Sequence, residues 1–287
     1  MTARFEAAPG GAVTLRSGLV MPRLGLGTWR MGETPARRGE EIRAVHRALD
    51  GGIAHIDTAE MYGEGETEAL LGEALASRPR DGLFLVSKVY PWNAGGRAMV
   101  EACEASLRRL RTDYLDLYLL HWPGSIAFEA TLAAAETLLA AGKIRAFGVS
   151  NVDVGLLGRL AEAGLADRID ANQVMHNPSR RGVEFDLYPA MATLGIQAVA
   201  YTPLEPARLG RNRAFAAVAE AEGLSPAQLA LTWHLTAGRA VPIPKAGQAA
   251  HVDALLAAAA RRLAPDAMAA IDAACPPPRR AQPLDII

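Results

Sequence analysis

Apolar positions along the chain recur as short, nearly continuous runs. They are "LGLGT" (24–28), "IAHIDTA" (53–59), "LFLVSK" (83–88), "YLDLYLLH" (114–121), "IRAFGVSN" (144–151), "IDANQV" (169–174), "QAVAYTP" (197–203) and "AVPIPK" (240–245). Runs of this kind predict strands covered on both faces, since a strand with one wet face alternates polar and apolar positions. Between them lie stretches of helical period with their own stop signals. "RGEEIRAVHRALDGG" (38–52) ends in a glycine pair and "FEATLAAAETLLAAGK" (128–143) ends at Gly142, both favoured at helix C-termini. "GLSPAQLALTWHL" (223–235) offers Ser225 as N-cap and Pro226 at the first helical position. Ahead of the first run, "VTLRSGLVMPRLG" (13–25) reads as a hairpin turning at Ser17-Gly18.

Strands that alternate with helices imply a parallel sheet, and eight such units in 287 residues point to a (β/α)8 barrel. The hairpin would cap the barrel's bottom, and residues 1–287 are expected to form one domain, with no linker or low-complexity tract to divide them. A doubly wound sheet is the main rival. Its dinucleotide fingerprint needs a third glycine that "GLGTWR" does not supply after Gly25 and Gly27. The "LAAAARRLAPDAMAAIDAACPPP" segment (256–278) reads as helices stopped by prolines, and the gap of roughly 40 residues before the last strand leaves room for a loop.

Composition narrows the setting without choosing a function. The chain is 50% hydrophobic and 21% charged with a formal net charge of −1, so neither nucleic acid nor an anionic membrane is an expected partner. No run of about 18 uncharged apolar residues occurs, and the N-terminus lacks a basic-then-apolar signal pattern. Cys103 and Cys275 make neither a disulfide framework nor a metal cluster. A cytoplasmic monomer with no bound metal is expected.

The chemistry gathers where the apolar runs end. In a parallel barrel the active site lies at the C-terminal ends of the strands, and here those ends carry Thr28, Asp57, Lys88, His121, Ser150 with Asn151, Gln173, Tyr201 and Lys245. Singly, each has an ordinary reading as a solvated strand end or a packed loop residue. Jointly they ring one mouth. Tyr62 follows Asp57 by five positions, in "HIDTAEMYGEGE" (55–66). A phenol near pKa 10 is a poor donor at neutral pH. A neighbouring ammonium lowers that pKa, a carboxylate holds the ammonium, and a histidine can orient a carbonyl oxygen. Asp57, Tyr62, Lys88 and His121 would then protonate an oxygen that gains negative charge during hydride transfer, with the hydride drawn from a cofactor. A metal-dependent hydrolase with His55, Asp57 and His121 as ligands is a weaker reading, since no further ligand stands at the other strand ends.

The sequence resembles the aldo-keto reductase family over nearly its whole length. The resemblance rests on "GLGTW", "HIDTAEMYG", "SKVYPWN", "SLRRLRTDYLDLYLLHWP", "GKIRAFGVSN", "NQVMHNP", "AYTPL" and "IPK", in that order. Within the family it is most similar to bacterial methylglyoxal-reductase-like and diketogluconate-reductase-like members. The resemblance implies NADPH-dependent reduction of small carbonyl compounds, with Tyr62 as proton donor, Lys88 as its partner, Asp57 holding Lys88, and His121 orienting substrate. It further implies that Ser150, Asn151 and Gln173 hold the nicotinamide carboxamide and Tyr201 stacks on its ring. Thr28 and Trp29 would lie beside the cofactor. Thr202, Pro203 and Leu204 would approach its pyrophosphate, and Lys245 would meet the 2′-phosphate.

The chain departs from the family's pattern after Lys245. "KAGQAAHVDAL" places Ala246 where a serine or threonine is usual and His251 where an arginine is usual. A histidine is only partly charged at neutral pH, so NADPH is expected to be preferred but held less tightly, with NADH tolerated. Trp29, Trp92 and Trp122, with Tyr62 and His121, are expected to wall the substrate site. A short tail after "CPPP" (275–278) suggests an open pocket suited to methylglyoxal-like dicarbonyls, with keto-sugars or aromatic aldehydes next. A nicotinamide-binding regulatory subunit with little turnover is the alternative from another class.

Overall fold

The structure is a computed structural model that describes Phe5 and residues 7–286. It opens with a hairpin in which β1 (Ala12–Thr14) pairs antiparallel with β2 (Val20–Pro22), Val13 opposite Met21. The turn closes through Leu15 N–H donating to the Leu19 carbonyl at 2.8 Å. Gly18 takes φ +83°, a left-handed conformation that suits glycine, at the predicted Ser17-Gly18 turn.

Eight strands follow: β3 (Gly25–Gly27), β4 (His55–Asp57), β5 (Phe84–Val89), β6 (Leu117–Leu120), β7 (Phe147–Ser150), β8 (Ala171–Met175), β9 (Gln197–Tyr201) and β10 (Val241–Pro242). They pair in parallel in sequence order. Closure comes from Gly27, which pairs with Lys245 and donates its N–H to the Pro244 carbonyl at 2.9 Å. A Cβ at residue 27 would stand 2.6 Å from the Ile243 carbonyl oxygen, so the seam tolerates only glycine. The last strand is shorter than the 240–245 run because Pro242 and Pro244 have no N–H to give to a ladder.

Helices cover the outside. They are α1 (Arg38–Asp50), α2 (Glu66–Leu75), α3 (Gly96–Leu110), α4 (Phe128–Ala140), α5 (Val154–Glu162), α6 (Leu187–Thr193), α7 (Pro206–Leu209), α8 (Arg213–Ala221), α9 (Pro226–Ala237), α10 (Ala249–Ala259) and α11 (Pro265–Ala274). Ser225 caps α9 in a full capping box with Gln228. The gap before β10 holds the helix expected at Ser225-Pro226, α9, and two further helices, α7 and α8, occupy much of the room left for a loop.

Side-chain alternation along the strands divides the core. Phe84 and Val86, Leu117 and Leu119, Ala171, Val199, Val241 and Ile243 point inward and form one cluster with Leu15 and Met21 of the hairpin. The hairpin thus plugs the lower end of the barrel, as predicted. Tyr118, Leu120, Phe147, Val149, Val174, Ala198 and Ala200 pack outward beneath the helices. The same period of two continues upward. Lys88 follows Phe84 and Val86 on the inner face, and His121 follows Leu117 and Leu119 in step. Polar residues at the strands' upper ends are therefore delivered to the barrel's axis by the register that buries the core. Outside the barrel, the buried Glu68 accepts from Ser87 Oγ at 2.6 Å and Arg109 Nε at 2.7 Å, and Asp116 accepts from Arg80 Nη2 at 2.7 Å. Both pin helices and loops to strands.

Candidate active site

A cavity of about 650 Å³ opens at the upper end of the barrel. Thr28, Trp29, Asp57, Tyr62, His121, Trp122, Ser150, Asn151, Gln173, Tyr201, Thr202, Pro203 and Lys245 line it. Lys88 lies just beneath, 1% exposed. Its Nζ donates to Asp57 Oδ1 at 2.5 Å, to the Thr58 carbonyl at 2.8 Å and to Tyr62 Oη at 3.3 Å. Asp57 and Tyr62 therefore meet through Lys88. Asp57 Oδ2 accepts from Gln173 Nε2 at 2.7 Å, which leaves each carboxylate oxygen partnered. Removing one member of such a buried pair strands the other's charge, at a cost of about 3–5 kcal/mol.

Burial sets the protonation states. It works against the Lys88 ammonium, but the attraction of Asp57 and then Tyr62 outweighs it and holds Lys88 above its usual value. For Tyr62 the outcome differs from expectation. Burial raises the phenol's pKa, and the opposing pull of Lys88 is too small to reverse it, so the net shift is upward. The sequence shows the ammonium but not the loss of water around the phenol. Tyr62 is consequently protonated throughout the neutral range. Burial, aided by the Lys88 charge, drives the His121 imidazole down to about 2, so it is neutral. Its Nδ1 is buried without a protein partner. The Tyr62 and His121 rings meet edge to face at 5.8 Å.

Beside this group runs a second set of polar contacts. Ser150 Oγ donates to the Gln173 carbonyl at 2.8 Å, Asn151 Nδ2 to the His121 carbonyl at 3.2 Å, and Tyr201 Oη to Asn151 Oδ1 at 3.0 Å. Asn151 and Thr202 adopt φ +58° and +49°, rare for residues with a Cβ and the kind of strain that collects at functional sites. Tyr201 turns a half-buried ring to the cavity, and Lys245 is exposed. Among the described residues Lys245 has no carboxylate partner. A planar amide, an aromatic ring and an anionic group thus each find suitable chemistry along one wall, which fits a nicotinamide dinucleotide.

Four features read from the sequence lie elsewhere in the structure, or fall outside the wall they were assigned to. Trp92 does not line the cavity: it is 61% exposed and stacks on Tyr90 at 4.2 Å, bordering Trp122 at 5.9 Å. Leu204 packs against the apolar core instead of the cavity. His251 is exposed on the first turn of α10, outside the lining. The tail is short yet reaches the mouth, where Ile286 joins the lining, so its length alone did not predict how open the pocket is. Met61, Pro123 and Ile243 also line it. Met61 and Pro123 neighbour Tyr62 and Trp122, and Ile243 stands one strand repeat before Lys245, whereas nothing in the sequence marks Ile286. His55 sits deeper on β4, its Nδ1 3.4 Å from the Pro22 carbonyl and its ring edge-on to Phe84 at 5.3 Å. Among the described residues no three His, Cys, Asp or Glu side chains are grouped to hold a metal ion, and no helix is long and apolar enough to cross a membrane. Cys103 and Cys275 are buried free thiols.

Comparison with known proteins places this geometry. A model of the aldo/keto reductase family matches residues 23–275. The methylglyoxal reductase YeaE of Escherichia coli is 44% identical over 272 residues, 93% of this chain and 95% of that protein. A glyoxal reductase of Bacillus subtilis is 37% identical over 81% of each chain. Among solved structures, an aldo/keto reductase of Klebsiella pneumoniae in complex with NADP and acetate superposes with a TM-score of 0.90 at 42% identity, covering 96% of this chain and 99% of that one. A second structure from that organism, in complex with NADPH, gives 0.89 at the same identity and coverage.

Proposed function

This chain belongs to the aldo/keto reductase family, and from that premise we propose that its substrates are small aldehydes and dicarbonyl compounds of the methylglyoxal type. It is an NADP-dependent oxidoreductase that reduces carbonyl groups to alcohols. The observation that carries the catalytic assignment is the Lys88 ammonium held between Asp57 and Tyr62 at the cavity floor, with neutral His121 alongside.

NADPH, when bound, supplies the hydride that no side chain can. Ser150, Asn151 and Gln173 are assigned to its carboxamide, Tyr201 to its ring, Thr202 and Pro203 to its pyrophosphate, and Lys245 to its 2′-phosphate. Neutral His121 orients the substrate's carbonyl oxygen. As that oxygen gains negative charge, Tyr62 gives it the phenolic proton, and the phenolate left behind is stabilised by the Lys88 ammonium. A tyrosine whose pKa is raised keeps its proton at neutral pH, as the proton donor in a reduction must. Asp57 prevents Lys88 from drifting off the phenol.

The test is the initial rate of NADPH oxidation with methylglyoxal, run on wild type and Tyr62→Phe. Turnover in the wild type with a loss of roughly 10²-fold or more in the variant is expected. Equal rates in both would remove Tyr62 from the mechanism. NADPH binding without turnover in either would favour the regulatory subunit.

For the cofactor, NADPH is assigned as preferred and NADH as tolerated. Lys245 and His251 are both exposed and Ala246 is buried with no hydroxyl to offer, so the 2′-phosphate lacks a fixed bidentate partner. Although His251 lies outside the cavity lining, its exposed ring at the start of α10 is assigned to the 2′-phosphate beyond the mouth, so His251→Ala is expected to weaken NADPH and leave NADH unchanged in a fluorescence titration. A sub-micromolar Kd for NADPH that His251→Ala does not move would sink this reading.

A further inference from the structure

The C-terminal tail and the segment after β9 reach the same cavity from different directions, and one side chain holds both. Arg180, on the loop after β8, donates from Nε to Glu205 Oε1 and Oε2 at 3.2 and 3.0 Å, and from Nη2 to Oε1 at 3.1 Å. Its remaining arm, Nη1, donates to Asp285 Oδ1 at 2.7 Å. Glu205 ends the segment whose Thr202 and Pro203 line the cavity, and Asp285 immediately precedes Ile286, which lines it at the mouth. A planar fork of fixed geometry can grip two carboxylates at once, which a lysine cannot do with comparable order.

The grip on the first segment is reinforced. Glu205 Oε2 also accepts from Asn177 Nδ2 at 3.1 Å and Ser179 Oγ at 3.0 Å, and Asn177 Nδ2 donates to the Thr202 carbonyl at 3.0 Å. Thr202 and Glu205 have φ +49° and +31°, conformations that residues with a Cβ adopt only when their surroundings impose them. These bonds are what imposes them. On the tail side, Leu284 packs against the apolar core, so Asp285 and Ile286 extend from an anchored residue. Arg180 and Glu205 keep 25% and 19% of their side-chain surface, and Asp285 36%, so the ion pairs are partly shielded from solvent.

We propose that Arg180 is a positioning residue that couples the cofactor-side segment 202–205 to the tail at the substrate mouth, so that ordering one favours ordering the other. This rests on the assignment of Thr202 and Pro203 to the cofactor. The coupling is reciprocal: whatever strengthens the hold on Glu205 strengthens the seat of Ile286, and the reverse. Neither Arg180 nor Asp285 touches the reacting atoms.

A thermodynamic cycle on the full chain tests this through NADPH affinity, read by fluorescence without turnover. Asp285→Asn is expected to weaken NADPH about 3-fold or more and to raise KM for methylglyoxal with a smaller change in kcat. In an Arg180→Lys background, where the fork is lost and the charge kept, the same Asp285→Asn change is expected to have little further effect on NADPH. A purely local role for the tail would move KM and leave the cofactor's Kd alone. NADPH affinity untouched by Asp285→Asn, or weakened equally in both backgrounds, overturns the coupling. A wild type that binds NADPH and reduces no carbonyl would defeat the functional reading and leave the cycle readable.

Discussion

Burial, more than any single neighbour, decides what His121 and Tyr62 can do. Desolvation followed by the Lys88 charge puts His121 at about 2, so it cannot act as an acid at neutral pH and serves as a neutral hydrogen-bonding group. The kcat/KM for reduction is therefore expected to be level from about pH 5 to pH 8, since neither His121 nor Tyr62 titrates in that window. A limb near pH 6.5 in the wild type that vanishes in His121→Asn would show the histidine to be ionising after all. His121 was legible because it stands where an apolar run meets its first polar position, and Tyr62 because a phenol follows the strand-end Asp57 by five positions. The direction of Tyr62's shift was not, because a string of letters shows Lys88 as a neighbour but not how little water remains.

At the level of elements, the strand–loop–helix unit behind the cavity wall holds a buried polar cluster. His176, just after β8, meets Glu184 Oε1 through Nε2 at 2.8 Å, and Glu184 also accepts from Arg181 and Arg239. His234 of α9 packs against the His176 ring at 5.0 Å. Desolvation lowers His176 despite Glu184, and lowers His234 with help from His176. Burial pulls the Glu184 carboxyl up, but hydrogen bonds from His176 and Arg181 outweigh it and bring it to about 2. All three folded pKa values lie below the unfolded ones, so the unfolded chain takes up protons first. Their stabilising effect is complete above about pH 6.5, erodes through the histidine range as pH falls, and erodes further below about pH 4.5 as Glu184 comes into play. Urea midpoints measured from pH 7.5 to pH 5 are expected to fall, and His234→Leu is expected to flatten that fall. Identical slopes in the two proteins would remove His234 from the account. The start of α9 was legible from local chemistry, in Ser225 and Pro226; its end at Gly238, with φ +64°, is seen in the structure. The cluster was not, since its members come from β8, its loop and α9, and meet only when those pack.

For the whole molecule, the alternation of eight apolar runs with helical stretches was enough to determine a closed parallel barrel, because strands buried on both faces need helices outside them and a filled interior within. The same strand period placed Asp57, Lys88, His121, Gln173, Tyr201 and Lys245 on the inner face, so the ring of polar ends was readable from the pattern alone. These are consequences of short-range pattern: two residues per strand repeat, one helix per crossover. What only the tertiary structure decided involves residues far apart in sequence with no shared period. Ile286 reaches the cavity because the tail is led back by Leu284 and by Asp285 on Arg180, contacts that span more than a third of the chain. Trp92 leaves the wall for a stack on Tyr90, and α7 and α8 form in the room ahead of α9 that had been left for a loop. Periodicity states which face a side chain takes. Which distant loop meets it, and how much water stays between them, is settled only by three-dimensional packing.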